Sequence, residues 1–179
     1  MKNPFITGTR IYLRLLSLDD LNGDYVNWLN DPTVCKYNGH YLFPYSKKEL
    51  SDYIENSWST KDRIILAIVH QTTEKHIGNI CLQNINFFHS NADLTIVLGD
   101  KDEWGKGYGK EAWLLMLKHG FGALNLHRIS CATTADNLAM QKLAKSVGMQ
   151  EEGIKKEAIV KNGKFIDIIE FGILRNSFY

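Results

Sequence analysis

A chain of 179 residues with 44% hydrophobic and 23% charged residues is long enough for one domain with a substantial core and too short for two catalytic domains. The 21 basic residues nearly balance the 20 acidic ones, so no overall field favours nucleic acid or an anionic membrane as a partner. The N-terminal residues contain no apolar stretch that suits a signal peptide or a membrane span. We therefore expect a cytoplasmic protein with a single domain over residues 1–179.

Cysteine and histidine spacings argue against redox and metal chemistry. The three cysteines, Cys35, Cys81 and Cys131, are odd in number and form no CxxC pair. The six histidines show no metal-binding spacing such as HExxH. We interpret the cysteines as small core residues and expect no metal site.

The first half of the chain predicts a strand, two helices and a meander of three strands. Alternating apolar residues indicate a strand at 11–15, and Ser17 then begins a helix that should run towards Pro32. Ser46 caps a second helix over residues 47–58. Apolar segments at 64–69, 77–85 and 92–98 are separated by short connections, which predicts antiparallel strands. Asp93 is a carboxylate in the otherwise apolar third strand.

The second half predicts a strand–loop–helix–strand unit and a closing hairpin. Trp113, Leu117 and Phe121 recur at helical spacing after a glycine-rich segment, and a strand follows at 128–133. A helix capped by Asp136 or Asn137 comes next, and an Asn-Gly turn at residues 162–163 joins two final strands. The elements together predict an α+β fold around a mixed sheet.

The glycine-rich segment EWGKGYGKEA, residues 103–112, carries the strongest chemical signal. It leaves a strand and begins a helix, so free amides and the lysines Lys106 and Lys110 suit a pyrophosphate; a tight turn without a ligand is the alternative. No GK[ST] is present, which excludes a P-loop. Residues 107–112 fit the weak dinucleotide pattern GxGxxA, but they follow a meander and not a parallel βαβ unit, which argues against an oxidoreductase.

Four segments resemble the GNAT superfamily of N-acetyltransferases, in its branch related to ribosomal-protein-alanine and spermidine N-acetyltransferases. They are ADLTIVLG at 92–99, WGKGYGKEA at 104–112, LNLHRI at 124–129 and DNLAMQKLAKSVGM at 136–149, and the ending NGKFIDIIEFGILR is similar too. The resemblance implies a GNAT-like fold, with a mixed, mostly antiparallel sheet of six to seven strands flanked by about four helices. It also implies acetyl transfer from acetyl-CoA to a primary amine of a small molecule, an amino sugar or a protein N-terminus.

The resemblance also implies roles for particular residues. Backbone groups of Ile96, Val97 and Leu98 would bind the pantetheine arm. The pyrophosphate would lie on the loop formed by Trp104, Gly105, Lys106, Gly107, Tyr108, Gly109 and Lys110. Asn137 matches an asparagine that hydrogen-bonds pantetheine, and a plain N-cap is an equally good interpretation. Asp93 matches the acidic position of the family's Ala-Glu motif and is the candidate base, directly or through water; a solvated surface carboxylate is the alternative.

Two features leave alternatives open. Ala144 stands where several family members have a tyrosine that acts as general acid, so a non-catalytic CoA-binding module remains a second interpretation.

Acceptor choice should lie in the segment that joins the first two helices, where aromatic side chains crowd: Trp28, Tyr37, His40, Tyr41, Phe43 and Tyr45. Trp28, Tyr37 and His40 are the candidate substrate residues, although core packing is the preferred interpretation for Trp28. An amino sugar linked to a nucleotide is a possible specific acceptor. The assembly is expected to be a monomer or a homodimer.

Overall fold

A computed structural model describes residues 3–40 and 42–179 and contains one sheet flanked by helices on both faces. The strands are β1 (Ile6–Thr7), β2 (Ile11–Leu15), β3 (Ile64–His70), β4 (His76–Asn86), β5 (Asn91–Leu98), β6 (Arg128–Thr134), β7 (Gln150–Lys161) and β8 (Lys164–Leu174). The helices are α1 (Tyr25–Leu29), α2 (Lys47–Ser59), α3 (Tyr108–Gly122), α4 (Leu138–Ser146) and α5 (Arg175–Phe178). Short 3₁₀ helices span Leu18–Asn22 and Lys101–Glu103.

The sheet has the order β1-β2-β3-β4-β5-β6-β8-β7, and β5 with β6 is its one parallel pair among the described residues. The predicted mixed, mostly antiparallel sheet is confirmed. The described residues form eight strands and five α-helices, where the sequence predicted six to seven strands and about four helices. The elements that the sequence did not predict include β1, which has two residues, and α5, which has four. Elements this short show no periodicity.

The predicted first helix, from Ser17 towards Pro32, is interrupted. The 3₁₀ helix Leu18–Asn22 ends at Gly23, whose backbone is extended with φ −98° and ψ −152°. Helix α1 then begins at Tyr25 and lasts only five residues. An extended residue cannot continue an α-helix, so Gly23 divides the segment before Pro32 is reached.

The core lies in two layers, one on each face of the sheet. Helices α3 and α4 cover one face, where Trp113, Met116 and Phe121 are fully buried. Helices α1 and α2 cover the other face, where Leu50 and Ile54 pack against β3. This arrangement follows from strand geometry, since alternate residues of each strand point to opposite faces. None of the helices in the described ranges is both long and apolar enough to cross a membrane.

Candidate active site

The parallel strands β5 and β6 separate after three residues and leave a gap in the sheet. They pair from Asn91 with Arg128 to Asp93 with Ser130, and not beyond. Past that point β5 pairs only with β4, as far as Leu98, and β6 pairs only with β8, as far as Thr134. The result is an opening between two strands, with α3 and α4 on one side of the sheet.

Alternate residues of β5 direct their backbone groups into this gap. The amide of Gly99 donates to the carbonyl of Ile77 at 3.0 Å, so the odd-numbered residues of β5 face β4. Ile96 and Leu98 therefore face the gap, as the pantetheine prediction requires. Val97 does not: its backbone faces β4, opposite Asn79. The indole Nε1 of Trp104 donates to the Leu98 carbonyl at 2.7 Å, so Trp104 closes one end of the gap.

The glycine-rich loop leaves open amides beside the same gap. Gly105 and Gly107 have φ of 75° and 86°, in the left-handed region that glycine adopts without strain, and Gly107 is the N-cap of α3. In the described parts of the chain, the amides of residues 105–107 donate to no acceptor, and the first amides of α3 have no intrahelical partner. Helix α3 is 15 residues long, so its positive end favours an anion there. The loop therefore fits a pyrophosphate.

Glu111 fixes this loop to the start of β2, a role that sequence reasoning missed. Its carboxylate accepts from the amides of Thr9 and Arg10 at 2.7 and 2.8 Å and from Arg10 Nε at 3.0 Å. Arg10 Nη1 donates in turn to the carbonyl of Lys106 at 2.9 Å. Burial alone would raise the pKa of Glu111, but these hydrogen bonds outweigh burial and lower it. Glu111 therefore stays ionised and holds the loop.

Three other predicted cofactor residues have structural partners of their own. The side chain of Tyr108 is buried, and its hydroxyl lies 3.0 Å from His70 Nε2, so only its backbone is available to a ligand. Lys106 pairs with Glu103 at 3.1 Å. Asn137 is the N-cap of α4: its Oδ1 accepts from the amide of Met140, and its Nδ2 donates to Thr133. The N-cap interpretation thus describes its side chain, and a contact with pantetheine remains a prediction.

Gly109 and Ala144 mark the helices that border the gap. A Cβ atom built on Gly109 would lie 3.8 Å from Ile96 Cδ1 and 4.0 Å from Leu143 Cδ2, so this glycine lies between β5 and α4. Ala144 is fully buried in the core. Its methyl group offers no proton, so the family's tyrosine acid has no counterpart at this position.

Asp93 lies on the opposite face of the sheet from α3, in a polar cavity of about 430 Å³. It is half-buried, and its Oδ2 accepts from Asn84 Nδ2 at 2.9 Å. Arg128 shares the cavity and forms a double hydrogen bond with Glu152, one contact of which measures 2.9 Å. The surroundings of Asp93 are thus polar and charged and not apolar, contrary to the expectation from its strand. Thr95 lines the same cavity.

A second cavity, of about 340 Å³, lies on the same face between α1, α2 and β5. We call it the aromatic pocket, and its lining consists of Tyr25, Leu29, His40, Tyr45, Glu49, Leu50, Tyr53, Asn79 and Val97. His40 Nδ1 lies 2.9 Å from the Tyr45 hydroxyl, and burial lowers the pKa of His40. Burial likewise raises the pKa of Tyr25. The pocket is therefore neutral apart from Glu49 at its rim.

Of the three predicted substrate residues, only His40 lines the aromatic pocket. Trp28 is 6% exposed and packs edge-on against His76, with 4.9 Å between ring centroids, so its core-packing interpretation describes it. The ring of Tyr37 lies 4.9 Å from Lys36 Nζ, outside the pocket lining. Tyr41 lies outside the described residues. Sequence reasoning missed Tyr25, Tyr53 and Asn79, because they come from separate elements and share no local pattern.

The segment that joins α1 and α2 is held to the chain that follows β5 and to the β7–β8 hairpin. Lys101 pairs with Asp31 at 2.6 Å, near the glycine-rich loop. Lys161, on the β7–β8 hairpin, donates to the carbonyl of Cys35 at 3.1 Å and to that of Lys36.

No group of three His, Cys, Asp or Glu side chains in the described ranges is placed to hold a metal ion.

Comparison with known proteins identifies this arrangement. A family model described as an acetyltransferase (GNAT) domain matches residues 10–150. The uncharacterized N-acetyltransferase YnaD of Bacillus subtilis is 34% identical over 173 residues, with 94% of this chain and 96% of that protein covered. The uncharacterized N-acetyltransferase p20 of Bacillus licheniformis is 28% identical over 173 residues, with 94% of this chain and 95% of that protein covered.

A solved structure shows the same fold with its ligands. It is the crystal structure of spermidine N-acetyltransferase from Vibrio cholerae in complex with CoA and spermine, with a TM-score of 0.85 and 25% identity. It covers 94% of this chain, and this chain covers 98% of it. The chain therefore belongs to the GNAT acetyltransferase family, and it is an enzyme that transfers an acetyl group from acetyl-CoA to an amine.

Proposed function

We propose that acetyl-CoA is held on the α3 side of the sheet and that the amine binds on the α1/α2 side, so that the two meet at the gap between β5 and β6. The observation that carries this proposal is that the gap lies directly beside the open amides at the start of α3. The amides of residues 105–110 would hold the pyrophosphate. The gap-facing groups of Ile96 and the amide of Leu98, whose carbonyl accepts from Trp104, would hold the pantetheine arm. Acetyl-CoA supplies an acetyl group activated as a thioester.

We propose Asp93 as the base that receives a proton from the amine. An alkyl ammonium with a pKa near that of lysine, about 10.4, is mostly protonated at neutral pH and cannot act as a nucleophile. Asp93, Thr95 and Val97 point to the same face of β5, and Asp93 lies about 13 Å along the strand from Val97 in the aromatic pocket. One water cannot span this distance, so the reacting nitrogen must extend from the pocket towards the gap, where a water can relay its proton to the short Asp93 side chain.

The residues of this chain support direct transfer with both substrates bound. After the ammonium has given one proton to the base, the neutral nitrogen forms the new bond to the acetyl carbon, and the carbon–sulfur bond breaks. The nitrogen then loses its second proton as the amide forms. The sulfur leaves as a thiolate and takes up this proton through water, because Ala144 offers none. A thiol with a pKa near the cysteine value of about 8.5 is a tolerable leaving group without an acid.

We propose a small molecule as the acceptor. A pocket of about 340 Å³ is in the size range of small-ligand sites. The similarity to a spermidine N-acetyltransferase supports a polyamine, and an amino sugar, free or linked to a nucleotide, is the other candidate. We further propose that the activity resides in a single domain, acts in the cytoplasm as a monomer or homodimer, and involves neither nucleic acid nor a membrane.

Release of CoA thiol, measured with a panel of polyamines, amino sugars and N-terminal peptides, tests the proposal. We expect turnover with at least one small amine and a raised melting temperature with acetyl-CoA, since a ligand of the folded state stabilises it. Tight binding of acetyl-CoA without turnover on any amine would instead support the non-catalytic interpretation. A melting temperature that rises with NAD and not with acetyl-CoA would support the interpretation as a dinucleotide-binding oxidoreductase.

A further inference from the structure

The aromatic pocket contains one polar side chain whose orientation the protein fixes. Asn79 lies on β4 and lines the pocket. Its Oδ1 is 2.8 Å from His76 Nε2, which also lies 2.9 Å from the carbonyl oxygen of Gly78. A carbonyl oxygen can only accept, so Nε2 must carry a hydrogen. The oxygen of Asn79 therefore faces His76, because the amide nitrogen is itself a donor and cannot pair with that hydrogen.

A buried ion pair holds His76 in this position. Its Nδ1 lies 3.2 Å from Asp20 Oδ1, and Asp20 forms a bidentate pair with Arg14 at 2.6 and 2.8 Å. The Asp20 side chain is 3% exposed. The Trp28 ring stands edge-on to the imidazole on its inner side. Both ring nitrogens of His76 are thus engaged by acceptors, and the chain of contacts runs from Arg14 to Asn79 without a break.

The opposite end of the Asn79 amide is the nitrogen Nδ2, which points away from His76. This nitrogen finds no acceptor in residues 3–40 or 42–179, and the residue itself is only partly buried. The other polar groups of the pocket are three tyrosine hydroxyls, His40 and Glu49. A hydroxyl can turn to donate or to accept, whereas Asn79 can only donate, because its oxygen is held by His76. Apart from Glu49 at the rim, which can only accept, Asn79 is therefore the group of the pocket whose polarity is fixed, and it requires an acceptor on the ligand.

We infer that Asn79 determines acceptor specificity by donating a hydrogen bond from Nδ2 to an oxygen of the amine substrate. The selected class is primary amines with a hydroxyl, carbonyl or ether oxygen a few bonds from the nitrogen, such as amino sugars. An ammonium or methylene at this place leaves the donor unpaired, which disfavours simple polyamines. His76 and Asp20 are positioning residues that act through Asn79. The inference rests on the proposed function and names the substrate class of the same site.

The test compares two amines of equal length, methoxyethylamine and butylamine, in which an ether oxygen that can accept but not donate replaces a methylene. Because this oxygen also lowers the pKa of the amine, kcat/KM is compared on the concentration of unprotonated amine. Glucosamine and spermidine form a second pair. We expect the wild-type enzyme to favour the oxygen-bearing amine of each pair in kcat/KM by about tenfold, the effect of one paired against one unpaired donor. Asn79→Leu should remove this preference through a higher KM for the oxygen-bearing amines, with the KM for acetyl-CoA unchanged.

Two further variants separate specificity from folding. Asn79→Asp keeps the shape and the contact with His76 but presents an oxygen to the pocket, so we expect the preference to reverse towards butylamine and spermidine. Asn56→Leu makes the same change on the exposed surface of α2 and should leave both preferences intact. Thermal unfolding of each variant shows whether it is folded.

The outcomes divide clearly. Equal kcat/KM for the two members of each pair in the wild-type enzyme overturns the inference and leaves the proposed function standing. The inference also fails if Asn79→Leu lowers activity on both members by the same factor, since a purely structural role predicts that result. If none of these amines, nor any amine of the wider panel, releases CoA, both the inference and the proposed small-molecule function are rejected.

Discussion

Replacement of Gly109 by alanine should stabilise the fold and weaken the binding of acetyl-CoA. The added Cβ would make only ordinary contacts, 3.8 Å from Ile96 and 4.0 Å from Leu143, so the free protein has room for it. Alanine reduces the freedom of the unfolded chain and favours helix, so the free energy of unfolding should rise by about 0.5–1 kcal/mol. For a chain of this length the melting temperature should rise by about 1–4 °C.

The same methyl group would occupy the opening between β5 and α4, where the ligand must approach the backbone of α3. We expect the Kd for acetyl-CoA to rise about tenfold, equivalent to about 1.4 kcal/mol. Isothermal titration calorimetry gives the Kd, and calorimetric unfolding gives the stability of the same sample. Both measurements are needed, because the two effects have opposite signs.

A matched control lies at the other end of the helix. Within the part of the chain that the structure describes, a Cβ on Gly122 would meet only Tyr179 Oη, at 3.6 Å. Gly122→Ala should therefore give a similar gain in stability with an unchanged Kd. If Gly109→Ala raises the melting temperature but leaves the Kd unaltered, the start of α3 is not where the ligand approaches, and the assignment of the glycine-rich loop is wrong.

Three other changes test separate parts of the site. Asp93→Asn should lower kcat by about 10²–10⁴, the usual contribution of a general base, with little change in the Kd for acetyl-CoA. Lys161→Met removes the contact with the carbonyl of Cys35, so it should raise the KM for the amine several-fold and not that for acetyl-CoA. Burial opposes ionisation of Asp20, but Arg14 and His76 hold the pKa of Asp20 in the folded protein below its usual range. The charge of Asp20 therefore stabilises the protein fully above about pH 4, the usual pKa of an Asp in the unfolded chain. The stabilisation is lost as the pH falls from there through the folded-state pKa. Asp20→Asn should lower the free energy of unfolding at neutral pH by about 3–5 kcal/mol and flatten its dependence on acid pH.

Each of these expectations has a contrary result. An Asp93→Asn enzyme with wild-type kcat throughout the pH range would remove Asp93 from the mechanism, and Glu170→Gln in the same cavity controls for the loss of a nearby charge. An equal rise of both KM values in Lys161→Met would mean that the contact stabilises the whole site and not the acceptor side. Chemical denaturation of Asp20→Asn with an unchanged acid slope would show that another carboxylate controls acid unfolding.

The parts of the fold that the sequence predicts are those with a strong local pattern. Short apolar segments with short connections identified the strands of the meander, of which β3 is buried along its whole middle. Helical spacing identified α3, because that pattern reflects burial on one face. The first helix was predicted too long, because apolar residues on both sides of Gly23 fit one helical stripe while the backbone at Gly23 is extended.

The site divides in the same way. The glycine-rich loop is contiguous, so its residues could be named from the sequence. The aromatic pocket draws Tyr25, Tyr53 and Asn79 from α1, α2 and β4, and only the folded chain brings them together. The backbone direction of Val97 depends on strand register, which side-chain alternation alone does not reveal.

Acetyl transfer itself is tested most directly with acetyl-CoA that carries an isotope label in the acetyl group. The labelled substrate is incubated with the enzyme and the panel of amines, and the products are separated and counted. We predict that the label appears on the nitrogen of a small primary amine, in an amount equal to the CoA released. Label found only in free acetate, or no release of CoA with any amine despite tight binding of acetyl-CoA, would contradict the assignment.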